Sequence, residues 1–296
     1  MKMQDKVGQI AERMTAANLV FGHGTANAFD EACWLVSSSI GLDPDFPTEA
    51  FSRELTREEQ ARIDALAQAR IGTRKPLAYL LGEAWLAGLS FEVDENVLVP
   101  RSPLAELIVT DFEPWLGSDR LQRAVDVGTG SGCLAIALAH YWPEVRVDAL
   151  DISASALALA RRNAERHGVA DRVQCLQSDL LDRVAGRRYD LILANPPYVP
   201  SASMARLPAE FRHEPELGLA AGLDGLDLVR RLLRQAGDHL TEHGILVCEV
   251  GEAAEALQAL LEPAIEPVWL EFEHGGDGVF LLDFEACRAA GAYLVR

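Results

Sequence analysis

A glycine-rich segment between an apolar run and a helical pattern is the feature that most restricts how this chain can fold. Residues 124–127 form a short apolar run, residues 128–132 have the sequence Gly-Thr-Gly-Ser-Gly, and a helical pattern covers 134–141. Glycine at a strand-to-helix turn lets the backbone approach a ligand closely, because no Cβ atom intervenes. The pattern predicts a ligand-binding turn at the end of a parallel strand, although such glycines also occur in plain tight connections.

The spacing of these glycines restricts the ligand. A dinucleotide fingerprint has glycines at its first, third and sixth positions, whereas here Cys133 occupies the sixth position and the third glycine comes one place early. This spacing weighs against a dehydrogenase and favours a nucleoside with a short zwitterionic tail. Asp151 ends the next apolar run, where a carboxylate can accept both hydrogen bonds of a ribose diol. The alternative role for Asp151 is to cap the helix predicted from Ser153.

Strand and helix patterns alternate from about residue 104, which predicts an α/β fold with a parallel sheet covered by helices on both faces. A glycine-rich turn at 275–278 precedes the last predicted strand. The predicted strands are 124–127, 145–150, 173–177, 189–194, 245–249, 268–272 and 279–283, and the predicted helices between them are 134–141, 153–167, 226–240 and 253–261.

The first part of the chain has helical spacing over 7–20, 27–40 and 57–71, with a turn at 43–47. Thr56 and Glu59 form a predicted capping box for the third helix. We therefore predict four segments along the chain. They are a small helical domain at 1–81, a β-hairpin linker at 82–103, a main domain at 104–283, and a tail at 284–296 to which the pattern assigns no role.

The segment Asn195-Pro196-Pro197-Tyr198 directly follows the apolar run 191–194. Proline fixes its own φ and donates no backbone hydrogen bond, and the residue before a proline is pushed away from helical geometry. A stiff notch walled by rings can hold a planar NH2 group and orient its nitrogen. A plain loop is the alternative, but the position at the end of a strand disfavours it.

Together these motifs resemble class I S-adenosylmethionine-dependent methyltransferases that act on amide or amine nitrogens. That resemblance implies a seven-stranded Rossmann-like sheet whose last strand is antiparallel. Further segments at 76–82, 88–91, 97–101, 214–215 and 222–227 resemble the protein-glutamine N5-methyltransferases. Within that family, one enzyme methylates the Gly-Gly-Gln glutamine of peptide release factors, and another methylates a glutamine of ribosomal protein number three of the large subunit.

Release-factor enzymes usually continue after Pro-Arg with Pro-Glu-Thr-Glu, whereas this chain continues after Arg101 with Ser-Pro-Leu-Ala. This difference resembles the ribosomal-protein branch, with the release-factor branch as the alternative. The resemblance implies that S-adenosylmethionine is bound by Asp126, Gly128, Thr129, Gly130, Ser131, Gly132, Asp151, Ile152, Asp179, Leu180 and Asn195.

The resemblance also implies catalytic roles for Asn195, Pro196 and Tyr198. The side-chain oxygen of Asn195 and the carbonyl oxygen of Pro196 would accept the two amide hydrogens, and Tyr198 would stack on the glutamine side chain. These residues would also bind the substrate, together with Pro197, Arg101 and Glu214. Three alternatives stay open: Asp179 as a turn residue, Arg101 as a solvated cation, and Glu214 as an acid flanking a helix.

The formal net charge is −18, and residues 201–283 hold sixteen acidic residues against five arginines and no lysine. Such a surface repels a phosphate backbone and attracts a basic partner, such as a ribosomal protein, although solubility alone could explain it. Adenine-N6 DNA methyltransferases share the four-residue notch, but they must extrude a base and need a basic groove, so we do not expect nucleic-acid binding. A non-catalytic assembly factor is disfavoured by the intact Asn195 and Tyr198.

The five cysteines are scattered and include no Cys-x-x-Cys pair. This pattern disfavours structural disulfides and a zinc site, and it is typical of a reducing compartment. No run approaches the roughly eighteen apolar residues of a membrane helix, and the first residues do not resemble a signal peptide. We therefore expect a cytoplasmic enzyme without a metal or a membrane partner.

Overall fold

The computed structural model describes residues 1–43, 46–117, 119–273 and 275–294. Pro44 and Asp45 of the predicted turn at 43–47, and the last two residues of the predicted tail, lie outside these ranges. The strands are β1 (Glu83–Leu86), β2 (Leu89–Glu92), β3 (Arg123–Val127), β4 (Arg146–Asp151), β5 (Val173–Gln177), β6 (Tyr189–Ala194), β7 (Leu240–Glu249), β8 (Val268–Leu270) and β9 (Val279–Asp283).

The helices are α1 (Met3–Ala16), α2 (Ala28–Ser39), α3 (Arg57–Thr73), α4 (Leu77–Leu81), α5 (Leu104–Val109), α6 (Cys133–Tyr141), α7 (Ala154–Arg166), α8 (Ser201–Met204), α9 (Asp227–His239), α10 (Ala254–Leu261) and α11 (Phe284–Leu294). Short 3₁₀ helices cover Thr48–Ser52, Asp182–Val184, Phe211–His213, Glu216–Gly218 and Gly251–Ala253. Within the described ranges, no helix is long and apolar enough to cross a membrane.

The main sheet has seven strands in the order β5-β4-β3-β6-β7-β9-β8. Neighbouring strands are parallel except at β9, which is antiparallel to both β7 and β8. The predicted seven-stranded sheet with an antiparallel last strand is therefore confirmed. The chain builds outward from β3 to β5 and then returns to β6 on the other side of β3. Ligands of open α/β sheets bind at such a reversal point, outside the carboxyl ends of the strands.

Both faces of the sheet are covered, which explains why its strands are continuous apolar runs. Successive residues of β6 alternate between the two faces. Leu191 and Leu193 join a core with α5, α6 and α7, whereas Ile192 and Ala194 join a core with α9, α10 and α11. Strand β3 is buried from its second residue onward, and β6 is buried except at Asp190, so the residues that follow these strands are held by a rigid frame.

The amino-terminal helices share one continuous core with the first of these faces. Met3, Val7, Ile10 and Met14 bury one face of α1, so the helix begins at Met3 rather than at residue 7 as predicted. It ends at Ala16 rather than at residue 20, because Asn18 adopts a left-handed conformation with φ of 49°. The capping box predicted for α3 is confirmed. The domain boundary near residue 81 stays a prediction.

The predicted hairpin is confirmed as the antiparallel pair β1 and β2, although its paired residues span only 83–92. Its two-residue turn has positive φ at Ala87 and Gly88, at 52° and 72°. The Asn163 side chain of α7 fastens it, accepting from the Glu92 N–H at 2.8 Å and donating to the Glu92 carbonyl at 3.0 Å. The rest of the predicted linker, residues 93–103, forms no strand, although the Val93 N–H donates to the Gly82 carbonyl oxygen at 3.1 Å.

Two strand predictions for the carboxyl-terminal part were wrong in extent. Strand β7 begins at Leu240 rather than at residue 245, and β8 ends at Leu270 rather than at residue 272. The tail forms α11, which packs against α9 and buries Cys287 and Ala290. The approach is close, because a Cβ atom at Gly237 of α9 would lie 2.9 Å from the Arg288 Cα atom.

Candidate active site

A cavity of about 380 Å³ lies at the carboxyl ends of the strands around the reversal point, which is a volume typical of small-molecule sites. Most of the site residues predicted from the sequence line it. Those lining residues are Arg101, Gly128, Thr129, Gly130, Ser131, Asp151, Ile152, Asp179, Leu180, Asn195, Pro196, Pro197 and Tyr198. The other three predicted residues, Asp126, Gly132 and Glu214, do not line it.

The glycine turn at 128–132, called the glycine loop below, is fastened to β4. The N–H groups of Gly128 and Thr129 both donate to the Leu150 carbonyl oxygen, at 2.9 and 2.8 Å. Gly130 has φ of +54°, and a Cβ atom there would meet nothing within 4 Å, so the loop leaves open space on its cavity side. Gly132 has a packing role instead, since a Cβ atom there would lie 2.9 Å from Ile136 and 3.0 Å from Ala160.

Asp126 supports the glycine loop from behind rather than lining the cavity. Its Oδ2 atom accepts hydrogen bonds from the Thr129 hydroxyl at 2.6 Å and from the Ala135 N–H at 3.2 Å, which satisfies one free donor at the start of α6. Burial raises the pKa of the Asp126 carboxyl to about 6, against the lowering effect of these two donors. Asp126 thus shapes the loop, while its buried Oδ1 atom has no hydrogen-bond partner among the described residues, and its predicted contact with the cofactor stays a prediction.

Asp151 joins the glycine loop to the start of α7. Its Oδ2 atom accepts the Gly130 N–H at 2.9 Å, and its Oδ1 atom accepts the Ser153 N–H at 2.8 Å. Ser153 itself caps α7, because its hydroxyl accepts the Ala156 N–H at 3.2 Å. Burial raises the pKa of Asp151, and the backbone donors oppose this effect. Each carboxylate oxygen keeps a further lone pair, so Asp151 can still accept hydrogen bonds from a ligand in the cavity.

The far wall of the cavity combines apolar and charged side chains. Ile152 is half exposed, and Leu180 is held with φ of 49° by the Ser178 hydroxyl, which donates to its carbonyl oxygen at 2.7 Å. The Asp179 carboxylate pairs with Arg231 at 2.8 Å, and both residues line the cavity. Asp179 is therefore more than a residue of a turn, although its carboxylate already has a cationic partner.

The segment Asn195–Tyr198 leaves β6 at the centre of the sheet. Within the part of the chain that the structure describes, the half-buried Asn195 side chain makes no hydrogen bond, so its carboxamide is available to a ligand. The Tyr198 ring lies on Gly251, where a Cβ atom would be only 2.6 Å from the ring. The Tyr198 hydroxyl donates to Glu249 Oε1 at 3.0 Å, and burial raises the pKa of the Tyr198 hydroxyl. The ring is therefore fixed at both its face and its tip.

Arg101 is a partly buried cation held by Glu214. Two parallel bonds of 2.6 and 2.7 Å join the guanidinium to the Glu214 carboxylate, and the guanidinium lies 5.5 Å from the centre of the Phe211 ring. Glu214 also accepts the Val99 N–H at 3.0 Å, and His23 Nε2 lies 3.4 Å from it. Burial would raise the pKa of Glu214, but the close approach of His23 and the two bonds from Arg101 outweigh burial and lower it to about 2.

These contacts give Glu214 a positioning role. Its side chain is fully buried and holds Arg101, which lines the cavity. Arg101 is accordingly not a freely solvated cation, and Glu214 is not merely an acid beside a helix. The predicted contact between Glu214 and a substrate stays a prediction.

Sequence reasoning missed Glu249, a buried carboxylate in the cavity wall. Its oxygens accept the hydroxyls of Tyr198 at 3.0 Å and of Ser102 at 2.6 Å, and burial raises its pKa. A signal for it was present, since Glu249 ends the apolar run of β7 just as Asp151 ends that of β4. Phe211 and His23 were also missed, because no local pattern connects them to Arg101 or Glu214.

Comparison with known proteins bears on the fold and the family. The family described as the methyltransferase small domain matches residues 106–210. Among solved structures, the hMettl16 catalytic domain in complex with MAT2A 3′UTR hairpin 1 superposes with a TM-score of 0.54 at 18% identity, covering 84% of this chain and 91% of that one. The same domain in complex with hairpin 6 gives a TM-score of 0.52. These structures share the fold.

Relatives of higher identity cover nearly the whole chain. The ribosomal protein uL3 glutamine methyltransferase of Xanthomonas campestris pv. campestris is 51% identical over 284 residues, which cover 96% of this chain and 91% of the relative. The protein of the same name from Francisella tularensis subsp. tularensis is 42% identical over 285 residues, covering 96% and 90%. With such identity over almost the full length of both partners, the chain belongs to the family of ribosomal protein uL3 glutamine methyltransferases.

Proposed function

We propose that this protein transfers a methyl group from S-adenosylmethionine to the side-chain amide nitrogen, N5, of a glutamine in ribosomal protein uL3. The names of its full-length relatives support this substrate. The observation that carries the chemistry is the Asn195 carboxamide, held by two prolines at the end of β6 in the same cavity as Gly130 and Asp151. A planar amide can bind there beside a nucleoside-based methyl donor.

The residues of the cavity fit S-adenosylmethionine. The open space at Gly130 admits the methionine tail close to the main chain, and the lone pairs of Asp151 can accept the ribose hydroxyls. Ile152 and Leu180 offer apolar surface to the adenine, with Asp179 at its edge. When bound, S-adenosylmethionine supplies an electrophilic methyl group on a sulfonium sulfur and departs as S-adenosylhomocysteine.

The protein's own contribution is to orient the glutamine amide nitrogen, which is a poor nucleophile, towards the methyl group. The lone pair of an amide nitrogen is delocalised into its carbonyl group, so the nitrogen attacks only when it is well oriented. Asn195 Oδ1 and the Pro196 carbonyl oxygen accept the two amide hydrogens, which directs the lone pair at the methyl carbon. The fixed ring of Tyr198 lies against the plane of the amide. Orientation of this kind supplies roughly 7–11 kcal/mol of the barrier in well-ordered reactions.

Arg101 binds the part of the substrate that carries the glutamine. Its guanidinium is oriented by Glu214 and Phe211, so it presents its remaining donors to the cavity without first having to be ordered. A main-chain carbonyl oxygen beside the glutamine would accept from it. The net charge of −18 favours encounter with a basic ribosomal protein. Such a substrate places the reaction in the cytoplasm, and we expect no contact with nucleic acid.

The experiment is a methylation assay on separate substrates. The protein is incubated with a methyl-labelled donor and either purified uL3 or purified peptide release factor, and the products are mapped by mass spectrometry. We expect one methyl group on a glutamine amide of uL3. Label only on the release factor would overturn the substrate, and the absence of a methylated glutamine in both proteins would overturn the reaction.

A further inference from the structure

Methylation of an amide nitrogen releases one proton, which some group must receive. As the nitrogen–carbon bond forms, the carbon–sulfur bond breaks and its electron pair stays on sulfur. The nitrogen then carries a methyl group, two hydrogens and a positive charge. It becomes neutral when one N–H bond loses its proton and leaves its electron pair on nitrogen. The oxygens of Asn195 and Pro196 are amide oxygens, which are too weakly basic to keep that proton.

Glu249 is a carboxylate beside this position. Ala194 pairs with Cys248 across β6 and β7, so the next residues along these strands, Asn195 and Glu249, emerge side by side. Glu249 is only 7% exposed and lines the cavity. Its carboxylate forms no ion pair with any residue that the structure describes, and the charge of Arg101 reaches it only through space.

The other carboxylates of the cavity wall have different partners. Asp179 is paired with Arg231, and Asp151 is bonded to the backbone of the glycine loop and of α7. Both residues belong to the half of the cavity that fits the nucleoside. Glu249 instead contacts Tyr198, whose ring faces the amide in the proposed function. Its position therefore selects Glu249 among the described acidic residues of the site.

We propose that the Glu249 carboxylate accepts the proton that the glutamine nitrogen loses on methylation, an inference that rests on the proposed function. An O–H bond forms from a carboxylate lone pair as the N–H bond breaks, and the proton passes to water when the products leave. Each oxygen of Glu249 accepts one hydroxyl, from Tyr198 or Ser102, and keeps a second lone pair for this step. The two hydroxyls hold the carboxylate in place.

The surroundings of Glu249 suit a proton acceptor. Burial raises the pKa of its carboxyl, while the hydroxyls of Ser102 and Tyr198 and the charge of Arg101 oppose that rise. The nearby Glu214 carboxylate is paired with the Arg101 guanidinium, so its negative charge is neutralised. A carboxylate whose pKa is raised by burial is a stronger base than a free carboxylate. The rate should therefore fall as pH drops and Glu249 takes up a proton.

The test compares single-turnover methylation of uL3 by the wild-type protein and by Glu249→Gln as a function of pH, with binding of S-adenosylhomocysteine measured by calorimetry. We expect the variant to bind S-adenosylhomocysteine with comparable affinity, to lose about 10²-fold or more in rate, and to lack the acid limb of the wild-type profile. A variant with the wild-type rate and acid limb would overturn the inference.

A second variant separates proton acceptance from a structural role. Ser102→Ala removes a hydroxyl that lowers the pKa of Glu249, so the acid limb should move to higher pH, whereas a residue that only supports the fold would leave it unmoved. An unmoved limb would overturn the inference even if Glu249→Gln failed to fold. If the wild-type protein did not methylate uL3, the proposed function would fail first. If the wild type methylates uL3 and Glu249→Gln does so with the same rate and pH profile, the proposed function stands and only the role of Glu249 is overturned.

Discussion

Replacing Glu214 with glutamine should destabilise the protein strongly, although the side chain does not line the cavity. The change keeps the shape of the side chain but removes the charge that faces Arg101 and His23. Arg101 would then be a partly buried cation without an anionic partner. Breaking a buried pair from one side is costly, because the remaining charge has already lost its water.

The size of the effect follows from the pKa of Glu214. The carboxyl has an ordinary value of 4.5 in the unfolded chain and about 2 in the folded protein. At 1.36 kcal/mol per pKa unit, this difference corresponds to roughly 3 kcal/mol of stability at neutral pH. Because the folded value is the lower one, the stabilisation is complete above pH 4.5 and is lost as pH falls towards 2. By pH 3, about 1.4 kcal/mol of it should remain.

Urea unfolding of the wild type and of Glu214→Gln at pH 7, 6 and 3 measures this contribution. Glu216→Gln is a matched control, since it makes the same chemical change at an exposed position two residues away, and it should alter stability by less than about 0.5 kcal/mol. We expect the Glu214 difference to be equal at pH 7 and 6 and smaller at pH 3. A difference no larger than that of the control, or one that grows as pH falls, would refute the reasoning.

Three further predictions concern the cavity. Asn195→Ala should abolish methyl transfer while calorimetry shows little change in S-adenosylhomocysteine affinity, and an active variant would remove Asn195 from the mechanism. Gly132→Ala should cost about 2–4 kcal/mol in urea unfolding, because its methyl group would overlap packed side chains at φ of +83°. Gly130→Ala, at +54° with open space, should cost about 1–2 kcal/mol and weaken S-adenosylhomocysteine binding instead, so equal costs would refute the packing argument. Asp151→Asn should weaken that binding roughly 10- to 100-fold. Wild-type affinity should fall at acid pH as Asp151 takes up a proton, and this fall should begin above pH 3.8 because burial raises the pKa of Asp151. The Asp151→Asn variant should lack this pH dependence. Unchanged binding in the variant would contradict the role of Asp151 in holding the cofactor.

The parts of the site that lie at strand ends could be predicted from sequence, because each depends on a few neighbouring residues. The prolines after Asn195 fix the backbone locally, and the glycines at 128–132 mark a strand-to-helix turn wherever the rest of the chain lies. Glu214 and Glu249 are different. Their partners Arg101 and Ser102 are 113 and 147 residues away, so only the folded chain shows that these acids are buried and paired.

The helix α11 shows a second limit of the sequence patterns. Its buried positions include Cys287 and Ala290, which are small and give a weak helical stripe. The helix is stabilised instead by close contact, since the missing side chain at Gly237 lets the backbone at Arg288 approach α9. Because this contact depends on a glycine and on small residues rather than on large apolar side chains, the sequence shows little hydrophobic periodicity here.

The buried anchors of Arg101 have a consequence for anyone who shortens this protein. Glu214 contacts His23, and the neighbouring Glu210 accepts the Val20 N–H at 3.0 Å and pairs with Arg74 at 2.7 Å. Cutting away the leading helices to obtain a minimal catalytic fragment would strip partners from two glutamates that have no access to water. In such a fragment the cavity wall at Arg101 should collapse, and substrate binding should weaken even if the removed helices never touch uL3.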